Sequence, residues 1–165
     1  MKKIQLTKLE GSFKNKTNFK LGSWCINYKN FNNKKIKVNE YHWNNRKKLY
    51  KDYTYLIQIK KKILQILRKK LNIYHRQNYS LVYWQILLDP YLTYLISVFF
   101  DRWEIIHTLK GKFLYPYFNY EKKTFQFDDT EDFIKEISTN DHINQHFFQE
   151  IINFKFYKKF KILEK

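Results

Sequence analysis

Along the first forty positions apolar and polar residues take turns. In KIQLTKLEGSF, residues 3–13, Ile4, Leu6, Leu9 and Phe13 recur at roughly every second place, the period of a half-buried strand. NFKLGSWCI (18–26) predicts a second strand that breaks at Gly22, where a permissive backbone would let the chain turn sharply. KIKVNEY (35–41) predicts a third, and the intervening NYKNFNNKK an Asn/Lys loop. After HWNN the period becomes helical. Leu49, Tyr53, Leu56, Ile63, Leu67, Leu71 and Tyr74 recur at threes, fours and sevens, while Lys47, Lys48, Lys51, Lys61, Lys62, Arg68 and Lys69 cover the other faces. Asn44 or Asn45 can cap that helix.

The most apolar stretch is YWQILLDPYLTYLISVFFDRW, residues 83–103, with Ser80 as a candidate cap just upstream. The window from Leu81 to Phe100 has the length of a membrane crossing, but Asp89 and Pro90 sit near its middle. A carboxylate is costly in hydrocarbon, and proline removes a backbone donor. The pattern therefore predicts a helix broken at Asp89-Pro90 and buried inside protein. Downstream, residues 109–127 read as loop with one strand. DDTEDFIKEI (128–137) puts acidic residues into a first helical turn, and residues 138–165 form a last amphipathic helix ending in lysines. With no internal repeat and no Gly/Ser linker, one domain over 1–165 is expected, of the α/β class, its short strands followed by long helices.

Composition adds an aromatic-rich core, with 44% hydrophobic and 20% aromatic residues, and argues against wholesale disorder. It also adds charge. Thirty-two Lys+Arg against 15 Asp+Glu give a net +17, a field that attracts nucleic acid, anionic lipid headgroups or phosphorylated substrates without choosing among them. The lysines are spread along the chain, so a solvated surface shaped by AT-rich codons is a competing explanation. The single cysteine, Cys25, excludes an internal disulfide and a cysteine-based zinc cluster and fits a reducing compartment. MKKIQLTKLEGSF lacks a sustained apolar run after its lysines, so no cleavable signal is expected. The expected location is cytoplasmic, with peripheral association at the inner membrane as its membrane-facing form. Three glycines, at 11, 22 and 111, allow neither a GxGxxG turn nor a P-loop.

Three local groups offer chemistry. EYHWNNR places His42 and Trp43 at a strand end and Arg46 in the first helical turn, where His42 would serve as general base and Arg46 as anion clamp. The alternative is a hydrogen-bonded loop histidine with Trp43 stapling the helix. In FFDRW, Asp101 and Arg102 are neighbours that point to different sides of a helix, so each is expected to pair elsewhere. In LGSWC a Ser23 or Cys25 nucleophile lacks a nearby base, which favours packed Trp24 and Cys25. The five histidines, His42, His75, His107, His142 and His146, are scattered, and the His142/His146 pair lacks a third ligand, so no metal site is expected.

Taken in order, LGSWC, YHWNNRKKLYKDYTYL, NYSLVYWQILLDPYLTYLISVFFDRW and STNDHINQHFFQEII resemble the N-terminal part of the LIC12162-type family of bacterial transferases, associated with O-antigen and other surface-polysaccharide biosynthesis. The resemblance covers nearly all of this chain and about the first third of a typical member. It implies a partial Rossmann-like fold, the acceptor-side N-terminal lobe of a GT-B-like glycosyltransferase. The C-terminal lobe that would hold a nucleotide-sugar donor would then be separately encoded, and the chain would be inactive alone. It singles out Gly22, Trp24, Cys25, His42, Trp43, Arg46, Tyr83, Trp84, Pro90, Asp101, Arg102, Asp141 and Asn144. Of these, His42 is the catalytic candidate, and Trp24, Trp43, Arg46, Tyr83, Asp101 and Arg102 are candidates for binding a carbohydrate acceptor. The chain departs from the family pattern at Asn45, where an acidic residue is usual, and at Asp89, where a glycine is usual. The second reading is a basic binding module for an anionic membrane surface or nucleic acid, using interleaved aromatics such as Tyr28, Phe31, Tyr50 and Tyr53. No nucleic-acid fold signature accompanies them, so nucleic acid ranks below the carbohydrate acceptor as a partner.

Overall fold

The computed structural model describes residues 2–9, 19–26, 37–109, 113–114 and 126–156. They form a mixed α/β arrangement that is mostly helical. Four two-residue strands, β1 (Lys2–Lys3), β2 (Phe19–Lys20), β3 (Lys37–Val38) and β4 (Phe113–Leu114), pair in parallel as β1 with β4 and β2 with β3. A parallel bridge between Gln5 and Lys20 joins the two pairs. The helices are α1 (Arg46–His75), α2 (Leu81–Thr108), α3 (Thr130–Thr139) and α4 (Asp141–Phe156). All three expected N-terminal strands exist, but each is far shorter than its alternating run. The expected loop at 27–35 and the tail at 157–165 lie outside the described residues.

The alternation of Ile4 and Leu6 is a real inward face, since both are almost fully buried. With Leu21 and Cys25 they pack on Ile105 and Ile106 of α2 and on Phe148, Ile151 and Ile152 of α4. Thr7 Oγ1 donates to Gln145 Oε1 at 2.9 Å and ties this strand edge to α4. Gly22 does not turn the chain in a way only glycine allows, because its φ of −160° is extended backbone. It is needed for room. A Cβ there would lie 2.2 Å from the Trp24 ring, and that ring is held by its Nε1 donating to the Leu6 carbonyl at 3.0 Å.

Helix α1 starts where Asn45 Oδ1 accepts from the Lys48 amide, and α2 where Ser80 Oγ accepts from the Tyr83 amide, both caps of the expected kind. The turn between them is closed by Arg76 in the left-handed conformation, φ 53°, and by Asn72. The Asn72 side chain bonds Tyr79 at both backbone groups and accepts from Trp84 Nε1 at 2.7 Å. The apolar stripe of α1 faces inward through its middle and departs at its ends. Leu56, Ile63, Leu64, Leu67 and Leu71 face inward, while Leu49, Tyr53 and Tyr74 are exposed. The carboxylate Asp52, which a search for apolar residues passes over, is also buried.

Helix α2 is not broken at Asp89-Pro90. It runs unbroken through Pro90, and the neighbouring Asp89 carboxylate is partnered across the hairpin. Lys60 Nζ pairs with Asp89 at 2.8 Å and reaches Thr93 Oγ1 at 3.0 Å, while Thr93 donates to the Asp89 carbonyl. Nor is the helix wholly buried, for Val82, Ile86 and Leu87 are exposed. Among the described residues, no helix is long and apolar enough to cross a membrane. Helix α3 opens with Asp129 capping the Asp132 amide and with Glu131 and Asp132 in its first turn, as the acidic pattern predicts.

Burial pushes the Cys25 thiol up from 9.0 to about 11, against the opposing pull of backbone hydrogen bonds from Gly22 and Leu21. A thiol whose folded pKa is raised contributes stability that is complete below its unfolded value and is lost as pH climbs through the folded one. Between pH 9.0 and about 11, urea midpoints of the native chain should therefore fall faster than those of Cys25→Ala. Parallel curves would contradict the burial.

Candidate functional site

Three elements meet around one carboxylate. The 3₁₀ turn His42–Asn44 leads into α1. The last third of α2 presents Asp101 and Arg102, and the first turn of α4 presents Asn144. His42 Nε2 lies 3.0 Å from Asp101 Oδ1, with only 2% of the His42 side chain and 8% of the Asp101 side chain exposed. Arg102 Nη1 donates to Asp101 Oδ2 at 2.6 Å, and its Nη2 donates to Asn144 Oδ1 at 2.7 Å. Asn144 is oriented in turn by donating to the Ile137 carbonyl at the end of α3. The Tyr41 hydroxyl adds another bond to Asp101, and its own ionisation is pushed far upward by burial and by the neighbouring carboxylate. Asp101 and Arg102 thus do pair with each other, contrary to the helical-wheel expectation. A side chain as long as arginine's can curl back to its neighbour while its second nitrogen reaches α4.

This network fixes the chemistry of the imidazole. In the neutral ring with its hydrogen on Nε2, toward Asp101, Nδ1 keeps its lone pair, and Nδ1 is buried with no hydrogen-bond partner. A ring held at one nitrogen by a carboxylate with the other nitrogen bare is the arrangement of a general base. The rings of Tyr41 and Trp43 flank it, with centroids 5.1 and 4.7 Å away.

A second polar group adjoins the first. Trp43 Nε1 donates to Asp52 Oδ2 at 3.0 Å, and Lys48 Nζ bridges Asp52 Oδ2 at 2.6 Å and Glu104 Oε2 at 2.7 Å. Burial works against the lysine's charge, but its bonds to Asp52 and Glu104 prevail and raise its pKa. His42, Asp52 and Glu104 offer one nitrogen and two oxygens within 4.8 Å of one another, a donor set that could take a divalent cation, which the sequence reading did not foresee. Here the Lys48 ammonium supplies the positive charge between the two carboxylates.

The residues singled out from the sequence do not all gather at this place. His42, Trp43, Asp101 and Arg102 do, with Asn144 behind them. Trp24 packs on the strand-side core, its indole bonded to Leu6. Arg46 is the exposed first residue of α1 and takes no part in the hydrogen bonds of the network. Tyr83 stacks on Tyr79 near the start of α2, centroids 4.1 Å apart. Eighteen residues of helix, about 27 Å at 1.5 Å per residue, separate it from Asp101. Sequence reasoning missed Tyr41, Lys48, Asp52 and Glu104. Lys48 and Asp52, four residues apart at a helix start, carried the signal for an ion pair.

A family profile described as LIC12162 family transferase matches residues 2–165. The chain belongs to that family. No curated protein and no solved structure matches it. For this LIC12162 family member, the profile spans every element that builds the Asp101 network, so the site lies within the part of the chain that defines membership.

Asp101→Ala would leave Arg102, Tyr41 and His42 without their shared acceptor. Losing the buried partner of such a network should cost about 3 kcal/mol in urea unfolding. A loss under about 1 kcal/mol, the size of an exposed pair, would mean that the carboxylate is not the hub.

Proposed function

We propose that this chain is the acceptor-side part of a glycosyltransferase of surface-polysaccharide biosynthesis, of the O-antigen kind, with His42 as the base that activates an acceptor hydroxyl. The single observation that carries the reading is the His42–Asp101 pair, whose other ring nitrogen, Nδ1, is buried and has no hydrogen-bond partner. The parallel strand pairs and membership of a transferase family support a GT-B-like, partly Rossmann lobe in that role.

On this reading a sugar hydroxyl approaches Nδ1 and gives up its proton as its oxygen bonds the anomeric carbon of a nucleotide-sugar donor. The bond from that carbon to phosphate breaks, and the nucleoside diphosphate leaves with the electron pair. Asp101 keeps the imidazole in the required tautomer and balances the imidazolium that forms. Trp43 is placed to stack on a sugar face, and Arg46, exposed beside it, to meet an anionic group. Because His42 is covered in this conformation, the acceptor enters by displacing the turn that carries Trp43. The donor belongs to a complementary lobe.

Chromosomal His42→Ala in the cells that make the protein should remove or shorten the surface-polysaccharide ladder seen on gels. His42→Gln, which keeps a donor toward Asp101, should fail equally while leaving the protein at normal abundance. An unchanged ladder with His42→Gln at normal abundance would overturn the assignment of His42 as base.

A further inference from the structure

The helical hairpin formed by α1 and α2 carries a charge and surface pattern that the His42 site does not use. Between residues 53 and 100 the chain has seven basic side chains, Lys60, Lys61, Lys62, Arg68, Lys69, Lys70 and Arg76, and one carboxylate, Asp89. That carboxylate is already paired with Lys60. The apolar contacts holding this end of the hairpin are few, centred on Leu64, Trp84 and Leu92. Around its tip large apolar side chains face outward: Ile73 is 79% exposed, Tyr74 81%, Val82 62% and Ile86 73%. Tyr79 and Tyr83, stacked on each other, are also exposed.

We infer that this tip docks, end-on, into the interfacial layer of a bilayer containing anionic lipid. Three observations favour that occupant. First, Ile73 and Tyr74 are adjacent in sequence and so lie about 100° apart around α1, while Val82 and Ile86 belong to the other helix. The exposed groups therefore surround the tip instead of forming one stripe, and a fluid layer covers such a surface where a rigid partner would cover one side. Second, Arg68, Lys69 and Lys70 stand about 10 Å or a little more from the turn at 1.5 Å per residue. At that distance cationic heads meet lipid phosphates when the tip is sunk to the usual interfacial depth. Third, isoleucine and valine gain from acyl chains and nothing from nucleobases, whereas the two tyrosines suit the headgroup boundary. No helix among the described residues is long and apolar enough to cross a membrane.

The test needs no turnover and is independent of the role given to His42. The purified chain is sedimented with vesicles of phosphatidylcholine alone and of phosphatidylcholine mixed with phosphatidylglycerol. Binding should be at least about tenfold tighter to the mixed vesicles and should weaken as salt rises. The double variant Ile73→Glu, Ile86→Glu changes two exposed positions and should keep the native circular dichroism and melting curve while losing about tenfold or more in vesicle affinity. Lys69→Glu with Lys70→Glu should lose the preference for anionic lipid. Equal binding to both vesicle types, or vesicle binding untouched by the Ile73/Ile86 variant, would overturn the inference. So would salt-sensitive binding to generic DNA without vesicle binding, which would mark a nucleic-acid surface. A concentration-dependent dimer abolished by the Ile73/Ile86 variant, again without vesicle binding, would assign the tip to a second copy.

Discussion

The Asp101 carboxylate is the constraint from which the arrangement of this protein follows. It receives His42 from the turn before α1, Arg102 from its own helix, and Tyr41 from the end of the strand region. Through Arg102 and Asn144 it reaches α4 and the end of α3. A buried carboxylate is unfavourable unless its oxygens are fully engaged, and the donors that engage it come from its own helix and from the Tyr41–His42 segment before α1. Satisfying one side chain therefore fixes where the strand edge, the long helices and the C-terminal pair meet. The apolar core around Ile4, Leu6, Ile105, Ile106 and Phe148 closes beside it, supplying the burial that gives those bonds their weight.

The same constraint divides the chain into two regimes. Near Asp101, α2 is packed on α4 and on the turn at His42, and charged groups are paired within the fold. Towards Arg76 the two long helices hold mainly each other, through Leu64, Trp84 and Leu92 and through the Asn72 side chain that closes the turn. There, basic and apolar groups face outward together. The proposed base and the proposed lipid-facing tip thus sit at opposite ends of one helix pair, with Pro90 and the Lys60–Asp89–Thr93 bonds between them.

Much of this was legible in the sequence. Strand-period alternation found Ile4 and Leu6, helical period found α1, and acidic residues at a helix start found α3, because each is a local rule acting on neighbours in the chain. His42, Asp101, Arg102 and Asn144 were picked out as residues, yet their meeting was not, since His42 and Asp101 are 59 positions apart and periodicity says nothing about such pairs. The polar members failed where apolar patterning was trusted. Buried Asp52 joins Leu56, Ile63, Leu67 and Leu71 on the inner side of α1, and Pro90 lies inside an unbroken α2 whose neighbouring Asp89 pairs with Lys60. Gly22 was noticed for backbone freedom and serves instead to admit the Trp24 ring, a contact between side chains that only packing reveals.

The account stands on His42 being held by Asp101 at Nε2 with Nδ1 bare. Nitrogen NMR of the imidazole in protein labelled at histidine reads that directly, with His42→Gln assigning the signal. The account predicts the hydrogen on Nε2, scalar-coupled to a nitrogen whose ring partner, Nδ1, shows the shift of an unprotonated imidazole nitrogen. A His42 signal with the hydrogen on Nδ1, or one averaging freely between the two tautomers, would mean that Asp101 does not hold the ring, and the assignment of His42 as base would fall with it.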